Sequence, residues 1–220
     1  MLINYKEKLD EIKKNIKEIG NSLIESNIII TNALKDCKLD KFNEAKLAIK
    51  NISNKTNEID NVIITTLALH APEARDLRTM VSYLKITNEL VRACSNTRSF
   101  IKGFQEVCKK VDIKTINDYA IPMQKSTVEA LEYAVKMFDI DCVDEIQEYF
   151  NKVLIAENKT DDLYEMIENT LIKQADKADN FSRYHQMLSS LRKSEKVADR
   201  AISIASLLLF ANNGGEIHQV

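Results

Sequence analysis

Two carboxylates stand out for their setting. In residues 188–205 the apolar positions Leu188, Leu191, Ala198, Ile202 and Ala205 recur at three- and four-residue steps. That period is helical. It puts Glu195 on the apolar seam itself, with Asp199 one turn on and beside it. A carboxylate withdrawn from water is costly unless something compensates its charge. Two compensations are open: a nearby base, with Lys193, Lys196 and Arg200 close in sequence, or a metal ion. Oxygen ligands held on helices suit hard or borderline cations such as iron, manganese or magnesium, and zinc less well without a histidine or thiolate.

Little else in the chain is arranged for chemistry. No Glu-x-x-His pair of the di-iron kind occurs; His70, His185 and His218 are isolated. There is no Gly-rich phosphate loop and no G-x-S-x-G nucleophile elbow, so no enzyme is expected. Cys37, Cys94, Cys108 and Cys142 form no C-x-x-C unit, which predicts reduced, half-buried thiols. Arg75 and Arg78 share a helix face with Asp76 between them, and Arg92 and Arg98 follow. By itself such a cluster reads as a solvated, partly ion-paired surface.

Bulk properties exclude whole classes. The formal net charge of -2 and pI near 6.0 give no basis for nucleic-acid binding. No apolar run approaches the ~20 residues that cross a bilayer. The longest, residues 202–211, is interrupted by Ser203 and Ser206. The N-terminus lacks the basic-then-apolar plan of a signal peptide, so a cytoplasmic location is expected.

The elements that must carry these residues are helices. Four glycines and two prolines in 220 residues are too few for a loop-rich or β-rich fold. Six apolar stripes follow one another. They begin at Tyr5, Phe42, Leu77, Ala120, Val143 and Phe181, with polar breaks near residues 36–41, 111–115, 140–142 and 174–179. Pro72 suits the first turn of the third helix, and Gly214 and Gly215 end the last. The halves also repeat. At an offset of 101, Phe42 meets Val143, Ile49 meets Phe150 and Asp60 meets Asp161; after the second turn the offset is 104, and Leu84 meets Leu188. The expectation is an all-α chain of two tandem three-helix bundles, residues 1–111 and 112–220, made of six long antiparallel helices.

One segment is specific beyond periodicity. Ala71-Pro72-Glu73-Ala74-Arg75-Asp76-Leu77-Arg78, followed by Tyr83-Leu84-Lys85-Ile86, resembles the signature of the PhoU family of phosphate-uptake regulators. Ser194-Glu195-Lys196-Val197-Ala198-Asp199-Arg200 resembles its second copy. Glu58-Ile59-Asp60 and Asp161-Asp162-Leu163-Tyr164 resemble the acidic parts of the family's middle helices. The resemblance implies two three-helix bundles and a regulator or adaptor of phosphate transport and phosphate-starvation signalling. Its implied partners are a phosphate transporter's ATPase subunit and a membrane sensor kinase, so that the chain meets the membrane through them; the resemblance also allows a homodimer. Arg75, Asp76 and Arg78 become a candidate partner-binding surface. The alternatives are an accessory regulator of a sodium- or proton-coupled phosphate permease, and a metal-binding helical bundle.

Some members of the family bind iron or zinc through E-x-x-x-D pairs and a middle-helix acid. By resemblance, Glu195 and Asp199 keep such a pair, with Asp161, Asp162 or Glu165 supplying the further ligand for a divalent or ferric ion. At the first-half positions stand Val91 and Ser95, so a single second-repeat site is expected. Conversely, the R-D-L-R element of the first half has Asp179-Asn180-Phe181-Ser182 as its counterpart.

Overall fold

The computed structural model describes residues 2–70, 72–110, 113–173 and 178–214. Among these residues there is no strand. The helices are α1 (Leu2–Asp36), α2 (Leu39–Ala48), α3 (Ile52–His70), α4 (Ala74–Val107), α5 (Ile113–Thr115), α6 (Ile121–Lys136), α7 (Val143–Lys173) and α8 (Ala178–Asn213). They form six rods, two of them internally interrupted. The expected all-α bundle is the fold observed.

Both interruptions have local causes. The second stripe, expected to be one helix, breaks into α2 and α3 at residues 49–51, where Asn51 takes φ 66°. Asparagine tolerates that left-handed conformation better than most residues. Ile49 keeps its side chain fully buried across the break, so the stripe continues although the backbone does not. The fourth rod passes from α5 through a π-helical turn, Ile116–Ala120, into α6. Pro122 lies in the first turn of α6. It has no N–H to give, and its ring clashes with the carbonyl four residues back. Widening the preceding turn accommodates it.

The ends follow capping rules with one correction. Pro72 precedes α4 rather than opening it; Glu73 is the N-cap, extended at ψ 163°, and its carbonyl accepts the Leu77 N–H at 2.8 Å. α1 closes on Cys37 at φ 52°, and the next N–H, Lys38, reaches back to Ala33 at 3.3 Å. This is a left-handed helix stop. Gly214, at φ 71°, stops α8 and donates to Phe210 at 2.9 Å. Gly215, His218 and residues 174–177 of the predicted break at 174–179 lie outside the described residues.

The expected thiol state is corrected at one pair. Cys37 and Cys108 are joined as a disulfide, Cα to Cα 5.8 Å. It ties the end of α1 to the end of α4. Cys94, buried, and Cys142, exposed, are free. Sequence spacing could not show the pair, because the chain runs out along α1, back along α2 and α3 and out again along α4, which brings together positions 71 residues apart.

The core has two apolar parts, each drawing on both halves of the chain. One gathers Ile12 to Leu23, Ile52 to Ile63, Met80 to Cys94, Ala130 to Ala156 and Val197 to Leu209; the other gathers Ile30 to Ala45, Phe100 to Met123 and Ile167 to Leu191. Between them lies a buried polar layer. Gln124 of α6 donates to Asn27 Oδ1 of α1 at 2.7 Å, and Ser194 of α8 donates to Gln124 Oε1 at 2.7 Å. Thr127 and Ser194 share a hydrogen bond at 3.1 Å, and Asn27 Nδ2 donates to the Leu23 carbonyl at 2.8 Å. Asn27 also reaches Thr97 of α4 at 3.5 Å. A buried amide needs every one of these partners. The layer therefore fixes the mutual register of α1, α6 and α8.

Candidate metal centre

The register of α8 sets the site. Ser194 is locked inward by Gln124, so Glu195 falls at the edge of the α7–α8 seam and Asp199 one turn further along. Glu195 is 6% exposed. Opposite, α7 presents Glu157, 8% exposed, and Asp161 on the same face. Carboxylate oxygens of Glu157, Asp161 and Asp199 all lie within 4.8 Å of one another. Ligands on one cation at 2.3–2.6 Å can be at most about 5 Å apart, so these three can share an ion.

Glu195 sits at the rim of this triad. Its Oε1 pairs with Arg192 Nη1 at 2.7 Å, and it is within hydrogen-bonding reach of Asp161. Its Oε2 is buried and accepts no hydrogen bond. Arg192 in turn lies 5.1 Å over the Tyr164 ring. Of the bases expected beside Glu195, neither Lys193, Lys196 nor Arg200 makes the direct ion pair; Arg192 does, three residues earlier on the same helix. Base and cluster are thus both present, and Arg192 occupies one oxygen of four carboxyl groups.

Crowding shows in the acid strengths. Burial, and then the charges of Asp161 and Asp199, push Glu157 up to about 7. Burial pushes Glu195 up to about 7 as well; Arg192 opposes this, while Asp199 and Asp161 add to it. Asp161 is raised by burial and by Asp199. Like charges this close favour a bound proton or a bound cation. The orphaned Glu195 Oε2 and the all-oxygen donor set fit a hard or borderline metal ion. Glu157, Asp161 and Asp199 would hold it, and Glu195 would complete or orient the set.

The structure brings together Glu195, Asp199 and Asp161 of the sequence-predicted set. Asp162 is exposed beside Asp161 and adds its charge to it, and Glu165 is exposed; neither joins the triad. Glu157 was missed, though the signal was there. It stands four residues before Asp161, as Glu195 stands before Asp199, and four after the seam residue Val153. In the first half the equivalent positions are Thr56, Asp60, Val91 and Ser95. Asp60 there accepts a 2.6 Å hydrogen bond from Thr87. One carboxylate satisfied by a hydroxyl replaces the cluster.

The Arg75, Asp76 and Arg78 surface opens α4. Arg75 is exposed, whereas Arg78 is half-buried against Gly214, with a buried Nε that makes no hydrogen bond. Arg75 and Asp76 help line a cavity of about 240 Å³ with Lys13, Tyr83 and Phe138. The counterpart side chains of Asp179 and Asn180 lie outside the described residues.

Residues 121–208 match the PhoU domain, the segment that carries all four carboxylates. Along nearly the whole chain the sequence is similar to curated proteins. One is the phosphate-specific transport system accessory protein PhoU homolog of Pseudomonas aeruginosa, 24% identical over 98% of this chain and 88% of that one. Another is the PhoU homolog 1 of Methanothermobacter thermautotrophicus, 19% identical over 94% of each. In fold the chain is similar to the crystal structure of PhoU from Pseudomonas aeruginosa, TM-score 0.84 at 18% identity over 96% of this chain and 100% of that one. It is similar too to the phosphate transport system regulatory protein PhoU from Streptococcus pneumoniae, TM-score 0.78 at 18% identity over 98% and 100%. Bundle, domain match and whole-chain likeness agree: residues 121–208 carry a PhoU domain, and the chain is similar to PhoU proteins in sequence and in fold along nearly its whole length.

Proposed function

We propose that this chain is an accessory regulator of phosphate transport, acting by contact with a phosphate transporter's ATPase subunit and with a sensor kinase. The carrying observation is that curated phosphate-specific transport system accessory proteins align with it over 98% of its length. Two features support an adaptor. No helix among the described residues is long and apolar enough to cross a membrane, so membrane effects would pass through partners. The Arg75 side chain is exposed at one end of the bundle, where a partner can reach it.

Arg75 is the better probe of that contact, because Arg78 also packs on the end of α8. The test is to replace the chromosomal gene with Arg75→Ala and follow phosphate uptake and a phosphate-responsive reporter, with melting temperature measured on the purified variant. Altered regulation at unchanged stability supports the adaptor. Unchanged regulation removes Arg75 from it. Crosslinking from position 75 then identifies the partner: an ATPase subunit supports this reading, and a sodium- or proton-coupled permease replaces it with the permease-accessory one.

A second reading is favoured by a specific observation, the buried Glu195 Oε2 without a donor beside three converging carboxylates. The second repeat would bind one divalent or ferric ion through Glu157, Asp161 and Asp199, aided by Glu195. Elemental analysis of protein prepared without chelators, before and after soaking with iron or manganese, tests it. A chain that stays metal-free after soaking would leave Glu195 as the partner of Arg192 alone.

A further inference from the structure

Asp199 faces two ways. On one side it belongs to the carboxylate triad; on the other it lines a groove of about 430 Å³ between α4 and α8, with Arg92, Ser95, Asn96, Lys196 and Arg200. The groove holds three cations to one carboxylate. Its residues occupy equivalent places in the two halves: at the offset of 104, Arg92 corresponds to Lys196, Ser95 to Asp199 and Asn96 to Arg200, while across the antiparallel helices Asn96 lies against Lys196. The first repeat lost its acidic pair at this place and supplies neutral donors, Ser95 and Asn96, instead.

The cations are held rather than neutralised in full. Glu89 lies beneath and pairs with Arg200 at 2.9 Å and with Arg92 at 3.4 Å. Arg200 also reaches Asp199 at 3.6 Å. Asn96 Nδ2 donates to the Lys196 carbonyl at 3.5 Å and ties the two walls. Lys196 makes no direct ion pair among the described residues, and the Arg92 side chain is 58% exposed. Two guanidinium groups, an ammonium, a hydroxyl and an amide thus border one space. That donor set matches a small tetrahedral oxyanion, whose oxygens accept several charge-assisted bonds at once. Glu89 and Asp199 together offset two of the three positive charges, and a cation on the triad would cancel the charge of Asp199 and leave the groove more positive.

The geometry points to a phosphate-class oxyanion site in the α4–α8 groove, recognised by Arg92, Lys196 and Arg200 and adjoining the metal held by Glu157, Asp161 and Asp199. This rests on the metal reading above, since the uncompensated triad repels anions. The site would give the second repeat a direct ligand of the kind whose transport the chain is proposed to regulate.

The test uses the full chain loaded with manganese, its metal content read by elemental analysis. Radiolabelled inorganic phosphate is then followed by equilibrium dialysis, with sulfate dialysed in parallel. The expected result is one phosphate per chain, with affinity about tenfold or more weaker in Arg92→Ala and in Lys196→Ala. Manganese content and melting temperature should be unchanged in both, and Lys55→Ala should match the parent. Manganese bound without phosphate overturns the inference alone. So does phosphate retained equally by both variants, since it would then be a ligand of the metal and nothing more. No manganese bound overturns the metal reading and this inference with it.

Discussion

Gln124 donates its side-chain amide to Asn27 Oδ1 at 2.7 Å across 97 residues of sequence, while its own carbonyl accepts from Ser194. The pair joins the first half of the chain to the second in the middle of the core, and it holds α8 in the register that carries Glu195 and Asp199 to the seam.

Gln124→Leu should lower stability by about 2–3 kcal/mol, because Asn27 Oδ1 and the Ser194 hydroxyl lose their partner in a dry place. Removing both amides in Asn27→Leu/Gln124→Leu should recover part of that loss. Urea unfolding of the two single variants and the double one measures the coupling. Strictly additive losses would show that the two amides do not act as a unit.

Metal loading should depend on the triad and not on its exposed neighbours. Glu157→Ala and Asp199→Ala should abolish loading, and Glu195→Ala should reduce it. Asp162→Ala and Glu165→Ala should load as the parent does. Elemental analysis across the five variants separates the three converging acids from acids that are merely close in sequence.

Stability of the metal-free chain should fall as pH rises. Glu157 and Glu195, raised to about 7 in the fold from the ordinary 4.5, bind more protons folded than unfolded between those values. Their contribution is greatest at low pH and is lost as pH passes from about 4.5 through 7. Melting temperature should therefore be higher at pH 5.5 than at pH 8 as far as these groups decide it, by on the order of 1–3 kcal/mol in stability. Glu157→Gln should flatten the profile. Manganese should reverse the trend, since it competes with the same protons. A profile of Glu157→Gln identical to the parent's would remove that group from the effect.

Reducing the Cys37–Cys108 bond should destabilise the chain by about 2–4 kcal/mol, because it closes a loop of 71 residues in the unfolded chain. Cys37→Ser should behave as the reduced parent does. Thermal melts with and without reductant check this, and the Cys37→Ser melt should not respond to reductant.

The sequence by itself determined the helices and their seams. Apolar side chains at three- and four-residue steps can be buried on one side only by coiling, and so few glycines and prolines leave no other fold open. It also placed Glu195 and Asp199 on one face, since a four-residue spacing is a property of the single helix. What tertiary packing decided was everything between helices. Glu157 joined the site because α7 lies alongside α8 at that height, whereas Asp162 and Glu165, adjacent to Asp161 or one turn from it, turn outward. Arg192 became the partner of Glu195 because Lys196 is drawn to the opposite flank, where α4 makes a groove. The pairing of Cys37 with Cys108 likewise depends on the ends of α1 and α4 coming to lie side by side. Local periodicity fixes which side of a helix a residue occupies; its neighbours across the seam are set by the register, and here that register is held by buried amides and hydroxyls, which an apolar stripe does not reveal.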